Sequence, residues 1–440
     1  MRAAECLLLL GLAPAALAAQ LPVQARLGPA MAEVTLDEAI ALADRVQPSV
    51  VSARAAIDQA EAQRLAAKGA WLPSLSATSA GGYSFAEFAR IDPVTGAVLE
   101  GNSEIKTVNM ALQTNWEVFS GFRRRNDRRV ADAGVRSADA GLLDAQYQQR
   151  FVTTQQFFTA LAAREIVDVR EASVRRADEQ LKAAEARLRA GTATRSDSLR
   201  SLVTLGNARV TLASAEADLA GAEAALGRLV GVDGRVRALD DSAFFRVAVE
   251  ADTAALLAAA MESSPVVLAR DAQAAQAKAQ LGSLKSSYWP QLTLNGAWSY
   301  NGSDQQDWEL FNQRQANINF NWPLFNRFVR ERNIDNQRAL IDIAEANAAD
   351  ARRQVQAQLI GALAQLDAAR FRIKVAEQSL LASQEDLRVV GERYRLGVAT
   401  LVDLLVSQEG LTQAELDMVN ARFAYLQARA QIEAIIGRSL

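Results

Sequence analysis

The chain has 440 residues, a net charge of −3 at pH 7, no histidine and a single cysteine. This length allows two or three ordinary domains or one elongated domain. The absence of histidine excludes Ser-His-Asp and Cys-His nucleophile systems and most zinc sites. The charge shows no basic excess, which argues against nucleic acid as a partner. We therefore expect a protein that is not an enzyme and that holds no cofactor and no metal.

Residues 1–19 have the features of a secretory signal peptide. An apolar run from Leu7 to Leu12 is followed by small residues that end at Ala19, an A-x-A-like cleavage site. The charges ahead of the run cancel, so a disordered leader is the alternative. The only cysteine, Cys6, precedes the run, and cleavage would leave the mature chain without one. The leader predicts an exported protein. No later stretch approaches the ~20 apolar residues of a membrane-spanning helix, so we do not expect a helical membrane protein.

The remainder of the chain is a tandem duplication. The phrase RLRAGTATRSD at Arg187–Asp197 returns as RYRLGVATLVD at Arg393–Asp403, which is 403 − 197 = 206 residues later. Other landmarks repeat in the same order. We divide the chain into a first repeat at 20–231, a linker or equatorial segment at 232–251, and a second repeat at 252–440.

The spacing between the two repeats changes once along the chain. Pro73 and Pro290 are 217 residues apart, whereas Trp116 and Trp322 are 206 apart. The first repeat therefore has 217 − 206 = 11 additional residues, which lie between Pro73 and Trp116. This difference predicts a longer connection there, around residues 92–96.

Each repeat contains a long helical hairpin. Proline, which breaks helix interiors, is absent between Pro93 and Pro265 and again after Pro323. Leucine recurs every seven residues at positions 205, 212, 219 and 226, with alanine between, a heptad pattern that lets helices pack closely. We expect ascending helices at about 124–189 and 328–395, each roughly 100 Å long, and returning helices that start near Ser196 and Thr400.

The repeated phrase lies where each hairpin turns. A glycine that can take positive φ ends the first helix, a threonine caps the second, and an aspartate follows in its first turn. These residues are Gly191, Thr194 and Asp197 in the first repeat and Gly397, Thr400 and Asp403 in the second. Helix capping alone accounts for this pattern, and a functional role is the second interpretation.

Two segments of each repeat alternate between apolar and polar residues. Between Ala316 and Trp322, for example, Ile318 and Phe320 alternate with asparagines. This pattern is typical of a transmembrane barrel strand of ~9–11 residues, although a half-buried soluble sheet shows the same period. Four strands cannot close a barrel, since the smallest membrane barrels have eight. Membrane strands would therefore require several copies of the chain.

The WLP and WPQL strand entries, the WEVFSG and WPLFNR strand exits and the R-x-R-x-G tips together resemble the TolC-like outer-membrane efflux family over nearly the whole mature chain. The resemblance implies a mainly α fold with four strands and two coiled-coil hairpins per protomer. It also implies a trimer that forms a twelve-stranded barrel in the Gram-negative outer membrane and a twelve-helix tunnel through the periplasm. The implied function is a passive exit duct for a tripartite efflux pump or a type I secretion system.

The same resemblance assigns roles to the hairpin tips. It implies a periplasmic gate at Asp197, Asp403, Tyr394 and Val406. Ala399 and Val406 differ from the arginine and second aspartate of well-studied members, which puts their closed-state bond network in doubt here.

The implied partners are outer-membrane lipid, an inner-membrane pump and a periplasmic adaptor protein. The adaptor contact falls on the exposed turn of each tip, at Arg189, Ala190, Gly191, Thr192, Arg395, Leu396, Gly397 and Val398. The alternative function is that the chain is itself an adaptor-type coiled-coil binding protein. Adaptors usually present one hairpin, whereas this chain has two.

Overall fold

The computed structural model describes residues 31–91, 93–94, 96, 98–240, 244 and 253–438, so the predicted signal peptide lies outside the described residues. The described helices are α1 (Leu36–Val46), α2 (Pro48–Gly69), α3 (Arg123–Arg189), α4 (Arg195–Val230), α5 (Thr253–Ser263), α6 (Pro265–Lys285), α7 (Val329–Arg395) and α8 (Leu401–Ile436). The described strands are β1 (Ala32–Val34), β2 (Ser74–Ile91), β3 (Val98–Phe119), β4 (Val236–Ala238), β5 (Gln291–Ser303) and β6 (Phe311–Asn321).

The longest helices, α3 and α7, have 67 residues each, and the returning helices α4 and α8 have 36 each. At 1.5 Å per residue, α3 and α7 are roughly 100 Å long. The predicted helical hairpins are confirmed, with ends that differ from expectation by one residue. Within the described residues, none of the helices is both long enough and apolar enough to span a membrane.

Two shorter helices stack end to end beside each long one. The Gln47 side chain at the start of α2 donates to the carbonyls of Leu229 (2.6 Å) and Arg228 (3.3 Å) at the end of α4. In the second half, the Ser263 hydroxyl, one residue before the position that matches Gln47, donates to the carbonyl of Ile436 at 2.8 Å. Together α4 and α2 therefore run alongside α3, and α8 and α6 run alongside α7. The sequence did not predict this stacking.

Strands β2, β3, β5 and β6 form one antiparallel sheet in that order. The strands of the first hairpin have 18 and 22 residues, and those of the second have 13 and 11. β2 pairs with β3 as far as Ile91 and Val98, but β5 pairs with β3 only from Thr107 onward. The expectation of a longer connection around residues 92–96 is therefore wrong. The additional residues lengthen the paired strands, which satisfies their backbone groups.

The strands meet the helices through a duplicated arginine site. The Arg124 guanidinium lies 4.5 Å from the centre of the Trp71 ring and donates to the carbonyl of Val118 at 2.8 Å. Its counterpart Arg330 lies 4.0 Å from the Tyr288 ring. These contacts fix the direction in which each long helix leaves the sheet.

The largest hydrophobic core lies midway along the helices. Phe157 and Phe158 of α3 are buried there against Leu226, Leu359 and residues of the short parallel pair β1–β4. Phe244, from the predicted equatorial segment, packs edge-on against both phenylalanines. This belt ties both hairpins together far from their tips.

Candidate functional site

The two hairpin tips share one backbone design. Gly191 has φ +74° and Gly397 has φ +78°, which places both in the left-handed region that favours glycine. In the first tip the Thr192 amide donates to the Arg187 carbonyl at 2.9 Å and the Gly191 amide to the Leu188 carbonyl at 3.0 Å. This pair of bonds is a Schellman motif, and the same pair closes the second tip. The predicted role of both glycines in ending the first helix is confirmed.

Each returning helix begins with a capping box. The Thr400 backbone amide and hydroxyl donate to Asp403 Oδ2 at 2.8 and 2.7 Å, and the Asp403 amide donates back to Thr400 Oγ1 at 3.2 Å. Thr194 and Asp197 make the same three bonds in the first tip. Both aspartates therefore hold the helix start in place, as the capping interpretation predicted.

Hydrogen bonding favours the charged form of both carboxylates. The backbone amide and hydroxyl of Thr400 lower the pKa of Asp403. The hydroxyl and backbone amide of Thr194 lower the pKa of Asp197 in the same way. Donors that point at a carboxylate favour its ionised form. Each tip therefore presents a fixed negative charge at neutral pH.

A contact between the two tips was not predicted from the sequence. The Arg187 guanidinium of α3 lies 4.2 Å from the centre of the Tyr394 ring on α7. Its Nη1 and Nη2 atoms donate to the Tyr394 carbonyl at 3.3 and 3.4 Å. The sequence signal for this arginine was present, because Arg187 begins the repeated R-x-R-x-G phrase. Its partner, 207 residues away, could not be read from that phrase.

The other residues singled out at the tips are at the surface of the chain. Val406 is 66% exposed on α8, three residues beyond Asp403, and Ala399 lies in the turn. The proposed adaptor-contact residues are all exposed: Arg189, Ala190, Gly191, Thr192, Arg395, Leu396, Gly397 and Val398. Of the four predicted gate residues, only Tyr394 makes a described bond to the other hairpin.

At the other end of the molecule, the sheet presents an apolar face in register. Trp116, Leu294 and Ile318 stand side by side on β3, β5 and β6. The next row on the opposite face contains Asn115, Asn295 and Asn317, and the Asn115 amide donates to Asn295 Oδ1 at 2.8 Å. One face is therefore apolar and the other carries amides, as the alternation predicted.

The geometry agrees with comparisons to known proteins. The sequence model described as "Outer membrane efflux protein" matches residues 39–232 and 256–438. The chain therefore belongs to the outer membrane efflux protein family.

Two relatives and one solved structure illustrate this membership. Outer membrane efflux protein BepC of Brucella suis is 25% identical over 339 residues, which cover 74% of this chain and 73% of BepC. Pyoverdine export outer membrane protein OpmQ of Pseudomonas aeruginosa is 24% identical over 401 residues, covering 88% and 81% of the two chains. The Campylobacter jejuni CmeC outer membrane channel superposes with a TM-score of 0.76 at 17% identity, covering 91% of this chain and 85% of CmeC.

These findings confirm the family, the fold class and the outer-membrane location expected from the sequence. The chain is an outer-membrane efflux protein with the fold of the CmeC outer membrane channel. The matched family and the relatives are all described as outer-membrane proteins, so the alternative of a periplasmic adaptor-type binding protein gains no support.

Proposed function

We propose that three copies of the chain form a passive exit duct in the outer membrane, closed at its periplasmic end by the helix tips. An inner-membrane pump and a periplasmic adaptor protein deliver the cargo, in a tripartite efflux pump or a type I secretion system. The duct carries out no chemistry of its own. The observation that carries this proposal is the open four-stranded sheet.

The sheet has two free edges within the described part of the chain. β2 and β6 each have a strand on one side only, because the strand order is β2-β3-β5-β6. In lipid, every unpaired backbone group costs several kcal/mol, so a membrane sheet must close on itself. Three copies supply 3 × 4 = 12 strands when β6 of each copy pairs with β2 of the next. That number lies within the range of known membrane barrels.

Purification and electrical recording test the duct. The protein should fractionate with the outer membrane, run as a trimer in mild detergent and give single-channel currents in planar bilayers. A single-copy species that stays soluble in plain buffer would contradict the proposal, since the apolar sheet face would then have no lipid to cover it.

The gate is proposed at the tips, where Asp197, Asp403 and Val406 of three copies would surround the axis. The capped carboxylates would favour cations at the narrowest point. The Arg187–Tyr394 contact would keep the two hairpins of one copy together in the closed state. Opening then requires this contact to break as the hairpins move apart.

Ion selectivity and open probability test the gate separately. Asp403→Ala should reduce the preference for cations and weaken block by multivalent cations, whereas Asp403→Glu should retain both. Tyr394→Ala should raise the open probability, because it removes the ring over which Arg187 lies. Selectivity unchanged in Asp403→Ala would remove Asp403 from the gate.

The adaptor contact is proposed on the exposed turns around Gly191 and Gly397. Replacement of both glycines by bulky residues is strained at positive φ and changes the shape of both turns. Export should be abolished while trimers remain intact, because a Cβ built at either position meets no heavy atom of the described chain within 4 Å, its sequence neighbours aside. Unimpaired export by the double variant would count against this contact.

A further inference from the structure

A cleft of about 390 Å³ lies where the sheet meets the helices, between the start of α3 and the end of α6. Its walls carry three cationic side chains, Arg125 and Arg129 of α3 and Lys285 of α6. Two aromatic rings, those of Phe122 and Trp289, line it as well. Its volume falls within the roughly 300–1,000 Å³ of small-ligand sites. We call this the basic cleft.

The three cations of the basic cleft are unpaired in the described part of the chain. The side chains of Arg125, Arg129 and Lys285 make neither a hydrogen bond nor an ion pair within those residues. The neighbouring acidic residue of α3, Asp127, is bonded instead by Arg123 at 3.4 Å. Arg125 and Arg129 are four residues apart, which places like charges on one helix face, where they repel each other. Helix stability therefore does not explain these charges, and an anion between them would.

The second half of the chain carries the opposite charge at the equivalent positions. An offset of 206 takes Arg125 to Glu331 and Arg129 to Asp335. Both of these carboxylates have described partners, an adjacent arginine at 3.2 Å for Glu331 and Arg338 at 2.9 Å for Asp335. Of these two equivalent helix starts, the first alone carries an unpaired basic face among the described residues.

The walls of the basic cleft are held in place from behind. The Asn126 side chain donates to the Gly282 carbonyl at 2.9 Å and to Ser286 Oγ at 3.0 Å, which joins α3 to α6. Gly121 has φ +59°, and a Cβ at this position would lie 2.7 Å from the Cβ of Trp289. Only glycine lets the chain pass this close to the tryptophan. The cleft is therefore preformed, and its cations are carried on fixed helix ends.

The basic cleft lies beside the apolar face of the sheet. Phe119 pairs with Leu292 in the same row of side chains that continues the apolar face toward the helices. The Phe122 ring meets the Phe119 ring edge-on at 5.5 Å and the Trp289 ring edge-on at 5.4 Å. This series of rings extends the apolar face as far as the cleft.

Tryptophans mark the same level of the molecule. Four of them lie within three residues of a strand end at the junction with the helices, and they are 40–52% exposed: Trp71, Trp116, Trp289 and Trp322. The Trp116 indole donates to the Trp71 carbonyl and the Trp322 indole to the Tyr288 carbonyl, each at 3.2 Å. Indole rings concentrate at the boundary between membrane and water. The basic cleft therefore lies at the level of lipid headgroups, on the side of the helices.

We propose that the basic cleft binds the phosphate of an anionic phospholipid in the periplasmic leaflet of the outer membrane. Arg125, Arg129 and Lys285 hold the phosphate, because arginine presents paired donors to phosphate oxygens and lysine adds a point charge. The acyl chains lie along the apolar face next to Phe122. Basic pockets beside membrane-spanning segments bind phospholipid headgroups in this way. The inference rests on the proposed duct, which places the sheet in the membrane, and it adds a lipid ligand.

Native mass spectrometry of the trimer with added lipid tests the basic cleft. The natural trimer should retain phosphatidylglycerol, up to one molecule per chain, in preference to zwitterionic phosphatidylethanolamine. Arg125→Gln with Arg129→Gln should weaken phosphatidylglycerol binding roughly thirtyfold, the effect of two cations near an anionic headgroup. Lys285→Gln, which changes one exposed side chain, should weaken it about fivefold. The matched control, Arg332→Gln with Arg338→Gln, removes two positive charges near the start of α7 and should leave binding unchanged.

An excess of inorganic phosphate separates a lipid site from a site for a free anion. Phosphatidylglycerol should stay bound in its presence, because the acyl chains add contacts with the apolar face. Displacement of the lipid by inorganic phosphate, equal retention of the two lipids, or unchanged binding in both the double variant and Lys285→Gln would overturn the inference. A trimer that conducts but shows no lipid preference contradicts this inference alone. A single-copy species in mild detergent contradicts the proposed duct and the lipid site together.

Discussion

The two halves of the chain are most alike at their tips and least alike where they meet other parts of the molecule. The long helices have equal lengths, the tip glycines have φ values within a few degrees, and both returning helices begin with the same capping box. The sheet hairpins differ in length, and the contacts around the middle of the helices differ in charge. A tunnel of one height requires long helices of equal length in both halves. The side-to-side contacts of each half can acquire different residues after the duplication.

The middle of the first half contains the clearest of these specialised contacts. Glu223 of α4 is 1% exposed and accepts hydrogen bonds from Arg164 of α3 and from Arg235 beside β4, the latter at 2.7 and 3.0 Å. The second half has Arg429 at the position of Glu223 and Arg370 at the position of Arg164. Glu223 therefore ties Arg235 of the equatorial segment to α4 of the first half.

Removal of this buried carboxylate should have the largest effect on stability. Glu223→Ala leaves two arginines facing a buried site without their partner, which typically costs roughly 3–5 kcal/mol. Both arginines are partly exposed, so we expect about 3 kcal/mol, measured by denaturant unfolding in detergent with helical circular dichroism. Asp350→Asn, which removes an exposed pair with Arg353, is the control and should change stability by less than about 1 kcal/mol. Equal losses of stability in the two variants would mean that the Glu223 contacts stabilise the fold no more than an exposed ion pair does.

The contact between α3 and α8 gives a second test of the same comparison. Arg176 of α3 donates to both carboxylate oxygens of Glu415 on α8, at 3.3 and 2.9 Å. Each side chain is 22% exposed, so their coupling should lie between that of surface and buried pairs. A double-mutant cycle with Arg176→Ala and Glu415→Ala should give about 1 kcal/mol. Arg209→Ala, at the position equivalent to Glu415, should change stability by no more than about 0.5 kcal/mol. A coupling near zero would show that the ion pair between Arg176 and Glu415 does not stabilise the contact between α3 and α8.

The sequence predicted the tips closely because their signals are local. Positive φ at Gly191 and Gly397 and the T-x-x-D phrases each depend on a few adjacent residues. The ends of α3 and α7 followed from those turns and from the absence of proline. The alternation in β5 and β6 was equally local, and pairing in the structure preserves it.

The contacts that the sequence did not predict join residues that are far apart in the chain. Gln47 bonds α4 182 residues away, and Arg187 bonds Tyr394 207 residues away. Neither partner carries a motif that identifies the other. The additional residues of the first sheet hairpin were assigned to its connection, and not to its strands, for a similar reason. A repeat offset counts inserted residues, but it does not show whether they pair with each other.

The capping boxes give the smallest expected effect and the sharpest comparison between the two tips. Because folding lowers the pKa of Asp403 below its ordinary value of 3.8, its charge stabilises the tip above that value. This stabilisation is lost as the pH falls through the lowered pKa. Amide hydrogen exchange of the second tip should therefore be slower in the natural chain than in Asp403→Asn at neutral pH, and the difference should vanish in acid. The first tip, with Asp197 unchanged in both proteins, is the internal reference. A difference that persists at all pH values would mean that the cap stabilises through shape and not through charge.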